Sequence, residues 1–376
     1  MPYNLLESLS ELIQGRRVKL MPKDKLSILI ELHKNIFFDE RKGQVVILDR
    51  RQLPRRIEYY RCNNYEEVAI AIEKMVTQSE GVSVAGGYGI VMAAYEARDK
   101  DSKTMRAYLT RATKRIKNTR PTQSSLHYLV DRLGREANNA IVRGESPFEI
   151  TKKAVITWID KLEESCQKIG RYASQLVEDN DTILTHCYAG PAIYFTGYYA
   201  QEDGKRVKFF CTETRPYLQG ARLTSFVLKQ GGFDVTLITD NMPAYCMQHG
   251  LINKIFVGAD RVSMDGGVTN KIGTYQIAIA AHEHNIPFYC FSAGPDPRTL
   301  TYKDAEIEIR DPEELLYVLD KKIAPESIKG FYPAFDSTPP KFIDAIITDR
   351  GIYRPSAISR YFEDKRGNTG KTVVKI

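Results

Sequence analysis

The chain has 376 residues, and its 43% hydrophobic and 27% charged residues are typical of a globular protein and exclude a disordered or collagen-like one. A net charge of +7 is too small for this length to indicate a nucleic-acid-binding surface, and no run of 18 apolar residues predicts a membrane span. Six scattered cysteines without a CxxC pair, and the absence of a secretory h-region, favour a reduced, cytoplasmic location.

The first part of the chain is expected to be mainly helical, because its apolar residues recur three and four positions apart. The predicted elements are helices over 4–13 and 23–37, strands at 44–48 and around 56–61, a helix from Tyr65, and helices over 122–178. The glycine-rich segment 81–97 indicates a close backbone approach, either for helix packing or for a ligand.

From Asp181 onward, short apolar runs alternate with helical segments. The runs are TILTHC, VKFFCTE, DVTLITD, KIFVGAD and FYCFS, and this alternation is typical of a parallel, doubly wound sheet. The predicted fold class is therefore α/β. A mainly helical N-terminal domain is expected over 1–175, and a Rossmann-like, doubly wound domain over 176–376.

Polar or reactive residues follow each of the five predicted strands. They are Thr185, His186 and Cys187; Glu213, Thr214 and Arg215; Asp240 and Asn241; Gly258, Ala259 and Asp260; and Ser292 and Ala293. Because ligands bind at the carboxyl ends of the strands in such sheets, we expect a functional site at this edge.

Cys187 ends one strand and precedes a segment that can open a helix, a position that stabilises a thiolate. The alternative is an inert buried cysteine. His186 is its neighbour, but adjacent strand residues point to opposite faces, so a Cys–His pair is not expected.

Asp260 ends KIFVGAD, where an apolar surrounding would raise its pKa and make it a proton donor. The alternative is a structural ion pair with Arg261. A glycine turn at 266–267 followed by Asn270 and Lys271 suits an anionic, hydroxyl-rich ligand such as a sugar phosphate. Arg215, Gln219 and Arg222 stand at another strand-to-helix junction, and Arg120 precedes a helix start at Pro121.

These residues lie within motifs by which the chain resembles the methylthioribose-1-phosphate isomerase family. The family shares its fold with archaeal ribose-1,5-bisphosphate isomerases and with regulatory subunits of a eukaryotic translation-initiation exchange factor. The matching segments are LPRRIEYYRC (53–62), TRPTQSSL (119–126), ILTHCYAG (183–190), ETRPYLQGARLT (213–224), VGADRVSMDGGVTNKIGTY (257–275), IPFY (286–289) and PAFDSTPPKFIDAIITDRGIY (333–353).

The resemblance implies isomerisation of an aldose 1-phosphate to a ketose 1-phosphate in methionine salvage, without a metal or another cofactor, by a cytoplasmic homodimer. It implies that Cys187 and Asp260 are catalytic and that Arg120, Gln219, Asn270 and Lys271 contact the substrate. Asp260 would protonate the ring oxygen and Cys187 would move a proton between C2 and C1. An apolar, closed site would keep Asp260 protonated.

The chain departs from the family where the family has Arg-Gly-Ala-Pro before a glycine-rich helix. Thr77, Gln78, Ser79 and Glu80 stand there, and the first three are carried over as substrate-binding positions. Tyr188 also replaces a smaller polar residue beside the catalytic cysteine.

The departure leaves two alternatives to the isomerase hypothesis. One is a paralogue that isomerises another sugar phosphate, such as 5-deoxyribose 1-phosphate or ribose 1,5-bisphosphate. The other is a non-catalytic regulatory protein that binds a metabolite or contacts a translation factor. The sequence leaves hydride and proton transfer both open. A nucleotide-dependent oxidoreductase is disfavoured, because no GxGxxG follows a strand.

Overall fold

The computed structural model describes residues 27–121 and 123–366, which fall into two compact units, one within Lys23–Glu164 and one within Ser165–Ile376. The helix predicted over 4–13 and the beginning of the helix predicted over 23–37 lie outside the described residues. A long helix, Pro147–Ser174, supplies residues to both units, so the domain division after residue 175 stays a prediction.

The N-terminal unit begins with a small antiparallel sheet in the order β1-β2-β3. Its strands are β1 (Ile36–Asp39), β2 (Gln44–Leu48) and β3 (Tyr59–Cys62). The helix predicted to reach Phe37 is wrong at its end, because a four-residue helix stops at Asn35 and Phe37 lies in β1 opposite Val46. Pairing with a strand that lies later in the chain overrides the local helical spacing.

Six helices belong wholly or partly to this unit in the described residues, and helix α3 lies in its core. The helices are α1 (Leu32–Asn35), α2 (Tyr65–Glu73), α3 (Glu80–Glu96), α4 (Ser102–Lys117), α5 (Ser124–Arg143) and α6 (Pro147–Ser174). Fourteen consecutive residues of α3 are buried. A Cβ atom at Gly86 would collide with Leu126 of α5, and one at Gly89 would collide with Ile116 of α4. The glycine-rich segment thus serves helix packing.

The C-terminal unit is built on a seven-stranded sheet. The strands of the unit, which include those of smaller sheets, are β4 (Asp181–Thr185), β5 (Val207–Thr212), β6 (Asp234–Ile238), β7 (Lys254–Gly258), β8 (Arg261–Val262), β9 (Val268–Lys271), β10 (Phe288–Phe291), β11 (Ile309–Arg310), β12 (Tyr317–Val318), β13 (Lys321–Lys322), β14 (Tyr332–Pro333), β15 (Phe335–Thr338), β16 (Ala345–Thr348) and β17 (Gly351–Tyr353). The sheet order is β6-β5-β4-β7-β10-β16-β17, and every neighbouring pair is parallel except β16 with β17.

The order of the six parallel strands confirms the predicted doubly wound α/β fold. Numbered along the chain, they follow the order 3-2-1-4-5-6. The order reverses between β4 and β7, which pair directly. Crevices at such a reversal, beyond the carboxyl ends of the strands, are where open α/β sheets bind ligands.

Helices and a second sheet surround the main sheet. The helices are α7 (Gly190–Glu202), a π-helical turn (Gly220–Thr224), α8 (Ser225–Gln230), α9 (Pro243–Gln248), α10 (Thr274–Glu283), α11 (Glu313–Leu316), and 3-10 segments Tyr302–Asp304, Pro340–Phe342 and Pro355–Arg366. The second sheet has the order β15-β9-β8. It is antiparallel and brings the segment 335–338 against Asn270 and Lys271. Within the described ranges, no helix is both long enough and apolar enough to cross a bilayer.

Candidate active site

Cys187 and Asp260 lie at the two strands between which the sheet order reverses. Cys187 comes two residues after the end of β4, and Asp260 comes two residues after the end of β7. Since β4 and β7 are parallel neighbours, both residues reach the same edge of the sheet. The strand ends that we predicted as a functional edge therefore do meet there.

The backbone of Cys187 is held in an unusual conformation. Its φ of 66° lies in the left-handed region that residues with a side chain seldom adopt. The Cys187 amide donates to Thr214 Oγ1 (3.0 Å), and its carbonyl accepts from Thr224 Oγ1 (2.6 Å). Both backbone groups of this residue are thus bound by threonine hydroxyls of the 212–224 segment.

The thiol of Cys187 is half-buried and accepts a hydrogen bond from Gln219 Nε2 (3.2 Å). Burial raises the pKa of this thiol, while the positive charge of Lys271 acts in the opposite direction. The thiolate stabilisation expected from the helix position is therefore outweighed by burial. The oxygen of the same side-chain amide, Gln219 Oε1, is buried and has no hydrogen-bond partner in the described part of the chain.

Asp260 is exposed, and this contradicts the expectation of an apolar, closed surrounding. Its charge nevertheless reaches the other site groups, since it contributes to raising the pKa of Cys187 and opposes the lowering of the pKa of Lys271. Arg261, the alternative partner considered from the sequence, pairs with Asp296 at 3.7 Å.

Lys271 is a buried cation enclosed by aromatic rings. Its side chain is 4% exposed, and its Nζ lies 4.6 Å from the ring centre of Phe335 and 5.5 Å from that of Tyr332. Nζ also donates to Tyr332 Oη at 3.4 Å. Burial, assisted by the positive charge of Arg310, lowers the pKa of Lys271 to about 8. A buried ammonium of this kind suits an anionic ligand.

Asn270 and Asp336 organise the start of helix α10 beside Lys271. Asn270 Nδ2 donates to Thr274 Oγ1 (2.9 Å), so its amide is engaged within the unit. Asp336 accepts from the amides of Gly273 (2.8 Å) and Tyr275 (3.1 Å) at the N-terminus of α10. Burial raises the pKa of Asp336 to about 6.

Both ring nitrogens of His186, which follows the end of β4, contact groups other than the thiol of Cys187. Its Nε2 lies 2.9 Å from the carbonyl of Ile272, and its Nδ1 lies 2.6 Å from Thr212 Oγ1. Burial lowers its pKa, so the ring is neutral. Because a carbonyl only accepts, the single ring proton is on Nε2.

In the N-terminal unit, Thr77, Gln78 and Ser79 form the turn that leads into α3. Ser79 has φ 54° and ψ −132°, a combination that favours glycine. Glycine would therefore be less strained than serine at position 79. Thr77 Oγ1 and Gln78 Nε2 are buried and have no hydrogen-bond partner among the described residues.

Arg120 and Gln123 lie beside the same turn. The Arg120 guanidinium donates to the carbonyl of Ile72 (3.2 Å) and contacts Met75 Sδ. Gln123 Nε2 donates to the carbonyl of Ser79 (3.3 Å). The structure thus brings the carried-over positions 77–79 and Arg120 together within one unit, and Cys187, Gln219, Asp260, Asn270 and Lys271 together within the other.

The two arginines at the strand-to-helix junction within 213–224 donate hydrogen bonds to backbone carbonyls. Arg215 donates to the carbonyls of Leu315 (2.9 Å) and Tyr317 (2.9 Å). Arg222 donates to the carbonyl of Tyr217 (2.9 Å) and stacks on its ring.

The thiol, amides and ammonium of the candidate site do not form a metal-binding group in the described ranges. Among the described residues, one group of three histidine, cysteine or carboxylate side chains lies close enough together to hold a metal ion: His33, Asp160 and Glu163. This group belongs to the N-terminal unit, and Glu163 already accepts a hydrogen bond from the amide of Leu32 (2.9 Å).

Three residues around the site, Thr224, Tyr332 and Phe335, were not predicted from the sequence, and Thr214 was predicted only as one of the polar residues at a strand end. Thr214 and Thr224 bind the Cys187 backbone, and Tyr332 and Phe335 enclose Lys271. Thr214, Thr224 and Phe335 lie inside the motifs ETRPYLQGARLT and PAFDSTPPKFIDAIITDRGIY, while Tyr332 immediately precedes the second motif. Their position in or next to a motif was the one sequence signal that could have identified them. The neighbouring residues in the sequence do not show which distant segment each side chain contacts.

The chain matches a family of known proteins over most of its length. Residues 75–355 match the Initiation factor 2 subunit family. A methylthioribose-1-phosphate isomerase of Carboxydothermus hydrogenoformans is 42% identical over 325 residues, which cover 82% of this chain and 93% of the relative. A putative methylthioribose-1-phosphate isomerase of Methanocaldococcus jannaschii is 40% identical over 334 residues, which cover 85% and 95%.

Solved structures agree with these sequence relatives. The crystal structure of 5-methylthioribose 1-phosphate isomerase from Pyrococcus horikoshii has a TM-score of 0.78 and 31% identity, and covers 93% of this chain and 99% of its own. The structure of translation initiation factor eIF-2B, subunit delta, from A. fulgidus has a TM-score of 0.71 and 37% identity, and covers 85% and 96%.

Proposed function

This chain belongs to the initiation factor 2 subunit family, and from that premise we propose that it isomerises S-methyl-5-thioribose 1-phosphate to the ketose 1-phosphate. The reaction is an aldose–ketose isomerisation, the step that would place the protein in methionine salvage. The observation that carries the proposal is the placement of Cys187 and Asp260 at adjacent strand ends, where the sheet order reverses.

The two residues divide the proton transfers between them. The 1-phosphate blocks the free aldehyde, so Asp260 donates a proton to the ring oxygen as the ring opens. Cys187 takes the proton from C2 and returns it to C1, through an enediol-like intermediate. The hydroxyl proton of C2 goes back to Asp260 as the ketone forms. Each group ends the cycle in the protonation state in which it began, so no oxidant or reductant is consumed.

The half-buried thiol fits this division of roles. Burial favours the neutral thiol at rest, whereas the reaction uses a thiolate and a protonated Asp260. Moving one proton from Cys187 to the exposed carboxylate converts the first state into the second at constant total charge. The positive charge of Lys271 stabilises the thiolate that results.

The remaining groups bind the sugar phosphate. The buried ammonium of Lys271 takes the phosphate, and the unpartnered Gln219 Oε1 accepts a sugar hydroxyl. Asn270 orders the strand end that carries Lys271. Thr77, Gln78, Ser79 and Arg120, in the N-terminal unit, are also proposed to bind substrate, and the buried Thr77 Oγ1 and Gln78 Nε2 have no hydrogen-bond partner among the described residues.

We further propose that the protein works as a cytoplasmic homodimer with a Rossmann-like C-terminal domain and without a bound cofactor. The residues of the candidate site supply an acid, a thiol that serves as the base, and a cation, which together cover every step written above. Neither a nucleic acid nor a membrane is a partner in this proposal.

An isomerase assay tests the proposal. Purified protein is incubated separately with methylthioribose 1-phosphate, 5-deoxyribose 1-phosphate and ribose 1,5-bisphosphate, and ketose formation is followed. We expect turnover of methylthioribose 1-phosphate, and its loss in Cys187→Ala and Asp260→Asn.

The buried Cys246→Ala and the surface Asp234→Asn are the matched controls and should retain activity. Turnover that persists in Cys187→Ala or Asp260→Asn would remove this mechanism. Turnover of another sugar phosphate alone would indicate a paralogue, and no turnover of any substrate would favour a regulatory binding protein.

A further inference from the structure

A chain of hydrogen bonds links the turn that carries Cys187 to the strand end that carries Lys271. It runs through His186, Thr212 and Thr214, whose side chains are all fully buried. The hydrogen bond to the thiol comes from Gln219 instead, and none of these three residues has a role in the proton transfers written above.

The donor and the acceptor of each hydrogen bond in this chain follow from the Ile272 carbonyl at one end, which can only accept. His186 Nε2 donates to the carbonyl of Ile272, so Nδ1 of the neutral ring accepts from Thr212 Oγ1 (2.6 Å). With its one proton used, Thr212 Oγ1 accepts from Thr214 Oγ1 (3.3 Å). Thr214 Oγ1 in turn accepts the amide of Cys187 (3.0 Å). Every donor in the chain therefore has one acceptor, and no hydroxyl can turn without breaking a bond.

Thr224 completes the arrangement from the other side of the residue. Its hydroxyl donates to the Cys187 carbonyl at 2.6 Å and is fully buried. The amide and the carbonyl of Cys187 are thus held by two different threonines. A residue with φ of 66° needs such support, because a side chain in the left-handed region is strained.

We infer that Thr214 and Thr224, with His186 and Thr212 behind them, are positioning residues that hold Cys187 in its left-handed conformation and so aim its thiol; the inference rests on the proposed role of Cys187. The juxtaposition that carries it is two buried hydroxyls bonded to both backbone groups of one strained cysteine. Ile272 lies directly after Lys271, so the same chain of bonds ties the thiol to the strand end of the phosphate-binding cation.

Steady-state kinetics give the first test. In Thr214→Val the hydroxyl is lost at nearly constant volume, and we expect kcat to fall about 10- to 100-fold while KM changes less than about threefold. Thr214→Ser keeps the hydroxyl and should recover kcat to within about threefold of the wild type. A Thr214→Val enzyme with wild-type kcat would overturn the inference.

Alkylation of Cys187 by iodoacetamide gives a second test that does not depend on turnover. The other five cysteines are buried, so peptide mass spectrometry reports Cys187 in the folded protein and all six in an unfolded one. We expect Thr214→Val and Thr224→Val to alkylate Cys187 several-fold faster, because the released turn relaxes and exposes the thiol. Thr151→Val removes a buried hydroxyl in the N-terminal unit and should match the wild type.

The two tests separate this inference from the proposed function. If the wild type isomerises no sugar phosphate but Cys187 is alkylated faster in both valine variants, the positioning role of Thr214 and Thr224 stands and the proposed function fails. If Cys187 is alkylated at the wild-type rate in both folded variants, the positioning role of Thr214 and Thr224 is overturned. If all six cysteines react in both variants, the threonines serve the fold in general, and the positioning role is overturned as well.

Discussion

Burial moves the ionisable side chains of the candidate site toward their neutral forms. It raises the pKa of the Cys187 thiol and lowers those of His186 and Lys271. The Cys187 thiol, the proposed base, is thus protonated at rest, and neutral His186 has a fixed place in the chain of hydrogen bonds. The pKa of Lys271 lies near neutral pH, at about 8. Each of these states follows from the desolvation of one side chain rather than from a specific ion pair.

Substrate affinity is expected to fall as the pH rises through the pKa of Lys271. In the proposed function the ammonium, which is charged below about pH 8, binds the phosphate, and above that pH the side chain becomes neutral. In the Cys187→Ala background, where turnover cannot occur, calorimetry should show Kd for methylthioribose 1-phosphate rising between about pH 7.5 and about pH 9.5. Lys271→Arg keeps its charge throughout and should flatten the profile, and an unchanged profile would contradict the assignment.

Ser79→Gly is expected to stabilise the protein. The φ of 54° and ψ of −132° at Ser79 strain any residue that carries a side chain, whereas glycine adopts them freely. We expect the free energy of unfolding to rise by about 1 kcal/mol, measured from urea denaturation. Ser83→Gly, in the interior of helix α3, is the control and should lower it by about 0.5–1 kcal/mol. A fall in stability for Ser79→Gly would contradict the strain.

The residues of the candidate site lie at strand ends and helix starts rather than within complete elements. Cys187 and Asp260 follow β4 and β7, and Lys271 closes β9 just before helix α10. The regular elements satisfy their own backbone groups, so free donors and acceptors occur where they end. Asp336 of the neighbouring strand β15 binds two such free amides at the start of α10.

This cap makes stability depend on pH in a definite direction. The pKa of Asp336 is about 6 in the folded protein, whereas an unfolded aspartate titrates near about 4. Between those values the folded state keeps a proton that the unfolded state has released, so stability falls as the pH rises from about 4 to about 6. Asp336→Asn removes the titration.

Urea denaturation across this window provides the measurement. We expect the stability difference between the wild type and Asp336→Asn to change by about 1–2 kcal/mol between about pH 4 and about pH 6. A difference that stays constant across the window would show that Asp336 does not titrate there.

At the scale of the whole molecule, apolar surface remains exposed on the C-terminal unit. Strand β6 is the outer strand of the seven-stranded sheet, and four side chains within 237–251 on and after it are exposed. They are Leu237, Met242, Tyr245 and Leu251. Such surface supports the proposal that the chain pairs with a second copy.

Light scattering after size-exclusion chromatography tests this directly. A homodimer should have twice the chain mass of 42.8 kDa, and the value should hold on dilution if the pairing is permanent. A mass of one chain at all concentrations would contradict the homodimer.

The amino-acid sequence by itself determined the elements whose patterns are local. The five apolar runs from Asp181 onward become β4, β5, β6, β7 and β10, and their order along the chain is enough to indicate a doubly wound sheet. The motifs also pointed to Cys187, Asp260, Gln219 and Lys271 as one group. Periodicity and motifs depend on residues that are close together in the sequence, so they can be recognised without the tertiary structure.

Contacts between distant segments required the tertiary structure. Strand β1 replaces the end of a predicted helix because its partner β2 is available, and β16 joins the sheet beside β10 from more than fifty residues away. Cys187 takes its conformation from Thr214 and Thr224, which the fold, and not the local spacing, sets on either side of it. Burial likewise depends on what packs over a side chain, which is why Lys271 is enclosed and Asp260 is exposed.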